Sequence, residues 1–316
     1  MKVFVTGGAG FIGSHVCEKL VSLGHEVIAI DNFDPYYGKG QKIANISPLK
    51  KSKKFHFLEM SILSPEFPAY LKESGADSII HLAARPGVRP SLADPFIYQK
   101  INVEGTLRVL EACRIADISN LVSISSSSVY GNCKTKPWKE TDTPLPASPY
   151  GASKLAGEAY VRAYHELYSI SAKCLRYFSV YGERQRPDLA LALFANAMME
   201  NKPIRMFGDG SSLRDYTYIS DAVDGTISAL LANPDFEIFN IGNSKPVALK
   251  RLINLLEQNL GVSAKIERLP EQKGDLSDTY ADISKAKKML NYSPKVGIEW
   301  GVKKYIEWRK KAWIGK

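Results

Sequence analysis

Residues 2–16, KVFVTGGAGFIGSHV, together with residues 25–31, HEVIAID, decide the fold of this 316-residue chain. Four of the first five, Val3, Phe4, Val5 and Thr6, are β-branched or aromatic and the run is strand-like, Gly7, Gly8, Gly10 and Gly13 punctuate the turn, and an amphipathic stretch follows to about Leu23. A second strand-like run then ends in Asp31, so the segment reads as a βαβ unit. Glycines in such a turn let the backbone approach a pyrophosphate, and the helix N-terminus behind them attracts phosphate charge. Asp31 stands 18 residues after Gly13, where an acidic side chain can accept hydrogen bonds from the adenosine ribose hydroxyls and would repel a 2′-phosphate. NAD is therefore expected in preference to NADP.

The alternation continues outward from this unit. Strand-like runs at 78–84 (SIIHLAA), 120–125 and 172–178 alternate with helical patterns at about 102–116 and 148–169. This implies an α/β fold with a doubly wound parallel sheet covered on both faces. After about Val180 the pattern changes to loops rich in Gly, Pro, Arg and Asp, with helices expected near 189–200, 221–231 and 249–260. The expected division is an NAD-binding Rossmann domain of residues 1–179 plus about 216–243, and a smaller α/β substrate domain of about 180–215 plus 244–316. The ligand site should lie in the cleft between them.

Composition narrows the function classes. Hydrophobic residues make up 45% and charged residues 24% of the chain, the proportions of a globular protein and not of a disordered one. The net charge of +9 suits an anionic ligand, but the lysines are dispersed apart from 50–54 and the tail around 309–311, so nucleic-acid binding is not expected. No run approaches the roughly 18 apolar residues of a membrane-spanning helix, so no membrane insertion is expected. Cys17, Cys113, Cys133 and Cys174 are single and scattered, and the histidines lack metal spacing; neither a disulfide framework nor a metal site is expected, and a cytoplasmic setting fits.

Tyr150 and Lys154 stand at i, i+4 on an expected helix, on one face and one turn apart. A nearby ammonium favours phenolate, which should lower the tyrosine pKa toward the working pH for proton removal from an alcohol. The run Ser125-Ser126-Ser127-Ser128-Val129-Tyr130-Gly131 follows an expected strand, at the sheet end where ligands gather.

Together these features resemble the extended short-chain dehydrogenase/reductase family over almost the whole chain. The resemblance implies Tyr150 as acid/base, Lys154 as the residue that binds the nicotinamide ribose and tunes the tyrosine, and Ser126 as hydrogen-bond partner of the reacting hydroxyl. It places Gly7, Gly10, Phe11, Ile12, Gly13, Asp31, Asn32, Ser61, Leu82, Ala83 and Ala84 around NAD, with His81 nearby and Asn102 supporting the active-site helix. Ser61 departs from the aspartate usual at that position, though a serine can still accept a hydrogen bond. Relatives that dehydrate or decarboxylate a nucleotide sugar usually carry an acid within the motif that here reads Ser126-Ser127-Ser128. With hydroxyls only, hydride removal and return, an epimerisation, is the simplest reading.

Asp34-Pro35-Tyr36-Tyr37, Ala84-Arg85-Pro86-Gly87-Val88-Arg89, Arg186-Pro187-Asp188-Leu189-Ala190-Leu191, the stretch from Arg214 to Ile219 and that from Asn240 to Ser244 resemble, more narrowly, the UDP-glucuronate 4-epimerases. That likeness implies a bound, regenerated NAD, Arg186 paired with the sugar C6 carboxylate, Ser127, Ser128 and Ser179 as further contacts, and Arg89, Arg214 and Asp278 near the UDP. Arg184 is the rival for the carboxylate role. It also implies a homodimer formed through the helices starting near Asn102 and Ser148, and a role in surface-polysaccharide synthesis. The alternatives are a 4-epimerase of neutral UDP-hexoses, a UDP-glucuronate decarboxylase, and an NAD-sensing protein without chemistry.

Overall fold

The computed structural model describes residues 1–233, 235–270 and 278–314. Seven strands form one wholly parallel sheet: β1 (Lys2–Thr6), β2 (Glu26–Asp31), β3 (Phe55–Glu59), β4 (Ser78–His81), β5 (Asn120–Ser126), β6 (Ser171–Tyr177) and the edge strand Phe236–Ile241. Their spatial order is β3-β2-β1-β4-β5-β6 and then the edge strand, so the winding reverses between β1 and β4. At that reversal the connections leave in opposite directions and open a crevice above the carboxyl ends of the strands.

The apolar strands follow from burial on both faces. Val3 and Val5 of β1 and Val27 and Ala29 of β2 enter one core, while Phe4, Ile28 and Ile30 enter the other. Alternate residues point to opposite faces, so a strand covered on both sides is apolar throughout. Helices α1 (Phe11–Ser22), α2 (Lys39–Ile46), α3 (Phe67–Ser74), α4 (Val88–Ala93), α5 (Pro95–Tyr98), α6 (Gly105–Ile115) and α7 (Pro149–Tyr168) accompany the sheet. Beyond β6, short strand pairs join 180–181 to 217–218, 204–207 to 266–269, and 213–215 to 246–248. Helices Ala190–Met199, Leu249–Leu260 and Ile298–Ile314 pack over them.

Two expectations shift at their edges. The helix foreseen from about Asn102 begins with a wider π-turn over Gln99–Glu104, and regular α6 starts only at Gly105. The strand foreseen through Ala84 stops at His81, because residues 82–84 turn outward along the crevice. Among the described residues no helix is long and apolar enough to cross a membrane, and no cluster of His, Cys, Asp or Glu could hold a metal ion.

Helix α7 is tied to the sheet by a buried ion pair. Arg176 of β6 donates from Nε and Nη2 to the two carboxylate oxygens of Glu158 at 2.9 and 2.7 Å, and Ser125 of β5 donates to the same carboxylate. The two side chains are 2% and 5% exposed. Breaking such a pair strands a charge in a low-dielectric interior. We therefore expect Glu158→Gln to cost about 3–5 kcal/mol of stability, read as a lowered midpoint in denaturant; a loss well under 1 kcal/mol would refute this account.

Candidate active site

The crevice is a cavity of about 970 Å³ whose wall includes residues of the glycine turn, the serine run, the α7 N-terminus and the region beyond β6. At its cofactor end the backbone is drawn tight: Gly10 N–H donates to Gly7 O at 3.1 Å, and Gly8 N–H to Ile30 O at 3.0 Å. A Cβ on Gly13 would stand 2.1 Å from Gly7 O, and Gly7 has φ of +71°, so neither position accepts a side chain. Gly10 is the N-cap of α1, with no side-chain cap and no carboxylate in the first turn, which leaves amide donors at the cavity for an anion.

Asp31 lies in the wall at 7% exposure and accepts the Phe33 N–H at 2.8 Å. Burial raises its pKa, while Lys42, whose Nζ stands 3.6 Å from the carboxylate, pulls it back down. Lys42, itself buried, escaped the sequence reading; it offsets part of the charge with which Asp31 would repel a 2′-phosphate. No motif marks it, since only folding of α2 brings it to Asp31. Ser61 lies in the same wall, and its hydroxyl accepts the Leu63 N–H at 3.1 Å. Leu82, Ala83, Ala84 and Asn32 complete this wall, with the Ala83 N–H donating to Thr6 Oγ1 at 3.2 Å.

Ser126 ends β5 and Tyr150 lies in the first turn of α7, whose N-cap Ser148 accepts the Gly151 N–H at 3.1 Å. Pro149 at the first helical position presets φ for that turn. Ser126, Ser127, Ser128, Tyr150 and Lys154 all reach the cavity. Burial raises the Tyr150 phenol above its ordinary pKa, while a hydrogen bond with Ser126 and the charge of Arg186 pull it down. The expected lowering by Lys154 is not what the structure shows. Lys154 Nζ donates to the Ile124 carbonyl at 2.8 Å, and burial brings its own pKa down to about 8. Asn102 accepts the Arg85 N–H at 2.7 Å and donates to Ser153 at 2.9 Å, linking the loop after β4 to α7.

At the other end, Arg186 and Arg184 separate cleanly. Arg184 points away, onto Glu18 of α1 at 2.8 Å, and is not in the wall. Arg186 lines the cavity at 19% side-chain exposure and donates from Nε and Nη2 to Asp188 at 2.9 and 3.2 Å. Ser179, Arg89 and Arg214 are also in the wall, the Arg89 guanidinium 4.2 Å from the Phe207 ring centre. Asp278 is not; it accepts Lys136 Nζ and the Leu213 N–H at 3.0 Å each, beside the strand that carries Arg214. Tyr36, Arg85 and Asp188, quoted earlier only within motifs, join the wall as a connected polar network.

This cradle and site define a nucleotide-cofactor enzyme, and comparison with known proteins places it further. The chain belongs to the NAD dependent epimerase/dehydratase family, whose description matches residues 3–242. NAD is its cofactor, and the glycine turn, the uncapped α1 N-terminus and Asp31 fit it. The UDP-glucuronate 4-epimerase of Thermodesulfobacterium geofontis is 41% identical over 97% of this chain and 95% of its own. A crystal structure of UDP-glucuronic acid 4-epimerase from Bacillus cereus, in complex with UDP-glucuronic acid and NAD, matches with a TM-score of 0.94 at 39% identity, over 99% of this chain and 100% of that one. The UDP-glucose 4-epimerase of Thermotoga maritima matches with a TM-score of 0.92 at 33% identity, over 99% and 100%.

His81, buried under the site between Thr6 and Thr106, has its pKa pushed down to about 3 by burial. The unfolded chain binds this proton from its ordinary 6.5 downward while the folded one refuses it, so stability is lost as pH falls from 6.5 toward 3. We expect the thermal midpoint to drop between about pH 7 and about pH 5, and His81→Gln to flatten that slope; an unchanged slope in the variant would reject a neutral buried His81.

Proposed function

We propose that this protein interconverts UDP-glucuronate and UDP-galacturonate by oxidation at C4, rotation of the 4-keto sugar and reduction from the opposite face, without decarboxylation. NAD takes the C4 hydride and returns it, so it stays bound and is regenerated. In this reading Tyr150 removes the C4 hydroxyl proton and later restores it. Ser126 orients that hydroxyl, and Lys154 binds the nicotinamide ribose. Gly7, Gly10, Phe11, Ile12, Gly13, Asp31, Asn32, Ser61, Leu82, Ala83 and Ala84 form the cofactor bed, while Arg89 and Arg214 serve the UDP and Asp278 braces the strand that carries Arg214. The Rossmann domain is 1–179 plus about 216–243, and the UDP-sugar domain about 180–215 plus 244–316.

The observation that carries the uronate reading is the guanidinium of Arg186, set in the same cavity as Tyr150 and close enough for its charge to act on that phenol. C6 is two bonds from the reacting C4, so a cation beside the acid/base group stands where a uronate carboxylate would lie. A guanidinium takes a carboxylate through two parallel hydrogen bonds, whereas a neutral hydroxymethyl leaves part of the fork unmatched. Ser127, Ser128 and Ser179 add hydroxyls to the same carboxylate. The 4-keto uronate is a β-keto acid, and holding its carboxylate out of line with the carbonyl π system suppresses loss of carbon dioxide. The place of such an enzyme is the cytoplasm, supplying a uronate for surface-polysaccharide synthesis.

A homodimer also fits the surface. Helices α6 and α7 pack side by side, and α7 exposes Tyr160, Leu167 and Tyr168, with Leu167 70% exposed. Apolar side chains on paired helices suit a symmetric four-helix interface. Light scattering should give about twice the monomer mass, and Leu167→Glu should lower it; a monomeric wild type would reject the dimer.

The deciding assay incubates the purified protein with UDP-glucuronate and no added NAD, followed by proton NMR and mass spectrometry. UDP-galacturonate at unchanged mass is expected, and Tyr150→Phe should lower turnover by about 10²–10⁴-fold while retaining UDP-sugar binding. If UDP-glucuronate stays untouched while UDP-glucose or UDP-N-acetylglucosamine is converted, the neutral-hexose epimerase takes its place.

A further inference from the structure

Arg186 does not stand alone in the cavity. Its Nε and Nη2 point side-on at the carboxylate of Asp188, at 2.9 and 3.2 Å. The hydroxyl of Tyr36 donates to Asp188 Oδ2 at 2.9 Å, so the carboxylate is held from a second direction. The Tyr36 ring is in turn flanked by two guanidinium groups, with the Arg186 carbon 5.5 Å and the Arg85 carbon 4.7 Å from its centre, and Arg85 pairs with Asp34. All five side chains line the cavity. A guanidinium carries five N–H donors in one plane. Asp188 engages the side-on edge, and among the described residues no hydrogen bond reaches Nη1, which leaves the end-on edge of Nη1 and Nη2 open to a further acceptor.

We propose that Asp188, anchored by Tyr36, is the positioning residue that fixes the plane of Arg186, so that only its end-on edge is offered to the sugar carboxylate. This rests on the uronate reading above. Burial disfavours charge on Asp188, but Arg186 and the Tyr36 hydroxyl hold its pKa below the ordinary carboxylate value, so it stays ionised as the guanidinium's partner. The consequence concerns which product forms. If the guanidinium can swing, the substrate carboxylate swings with it, and the bond from C5 to the carboxylate can align with the C4 carbonyl. That bond then breaks, carbon dioxide leaves, and the electron pair enters the carbonyl as an enolate that takes a proton at C5. A fixed guanidinium plane withholds that alignment through the ring rotation.

Asp188→Asn keeps the shape but cannot accept both Arg186 donors, and Tyr36→Phe removes only the outer anchor. In Asp188→Asn, KM for UDP-glucuronate should rise about tenfold and the share of turnovers ending in decarboxylated UDP-pentose should rise by about tenfold or more. Tyr36→Phe should shift both the same way by less. Binding of UDP alone, by calorimetry, should match wild type and shows that each variant is folded. The product share is the diagnostic readout, because general loosening of the fold lowers all turnover without favouring one product. Unchanged product share in both variants, or a lower KM in Asp188→Asn from relief of competing negative charge, would overturn this role while leaving the epimerase reading intact. A wild type inert toward UDP-glucuronate would remove both together.

Discussion

The nucleotide end of the crevice depends on the contact between Gly13 of α1 and the carbonyl of Gly7. A Cβ at Gly13 would lie 2.1 Å from that oxygen, and one at Gly7 would lie 2.8 Å from the Ala83 amide. Without side chains there, α1 sits hard against the turn and the loop after β4 closes over it. Two consequences follow from one approach. The α1 N-terminus aims at the crevice where the sheet winding reverses, and the wall at 82–84 comes close enough to line the same cavity.

The second fixed point lies beneath the chemistry. Glu158 and Arg176 join α7 to β6, and Ser125 brings β5 into the same bond set, one residue before Ser126. Rotation of α7 would break charge-assisted bonds where water cannot replace them. Tyr150 and Lys154, two turns and one turn toward the N-terminus, are therefore held over the end of β5. Asn102 adds a clamp from the other side through Ser153. The shape of this part of the cavity thus depends on Glu158, Arg176, Asn102 and Ser153, none of which lines it.

The opposite end of the cavity is built differently, from loops. Arg186 takes its orientation from Asp188 and Tyr36, and the strand carrying Arg214 is anchored through Asp215. That buried carboxylate accepts the Asn243, Ser244 and Ala281 amides at 2.8–3.2 Å, and burial raises its pKa to about 6. One acidic side chain so ties three separated segments around the far side of the cavity. Loops on such anchors can differ among relatives while the sheet beneath them stays the same.

The sequence by itself determined the parallel α/β sheet, the glycine cradle, Asp31, the placement of Ser126, Tyr150 and Lys154, and the family. Each is written in local terms: period-2 and helical patterning, glycine spacing, and an i, i+4 pair on one helix face. Only the tertiary structure set Arg186 in the cavity wall and turned Arg184 onto Glu18, because both lie in one loop, and their directions depend on α1 and on Tyr36, distant in sequence. It also brought Lys42 to Asp31, set Glu158 on Arg176, and turned the Lys154 ammonium toward the Ile124 carbonyl. These are contacts between residues far apart along the chain, and the balance of burial against charge that sets their pKa values exists only once the chain has folded around them.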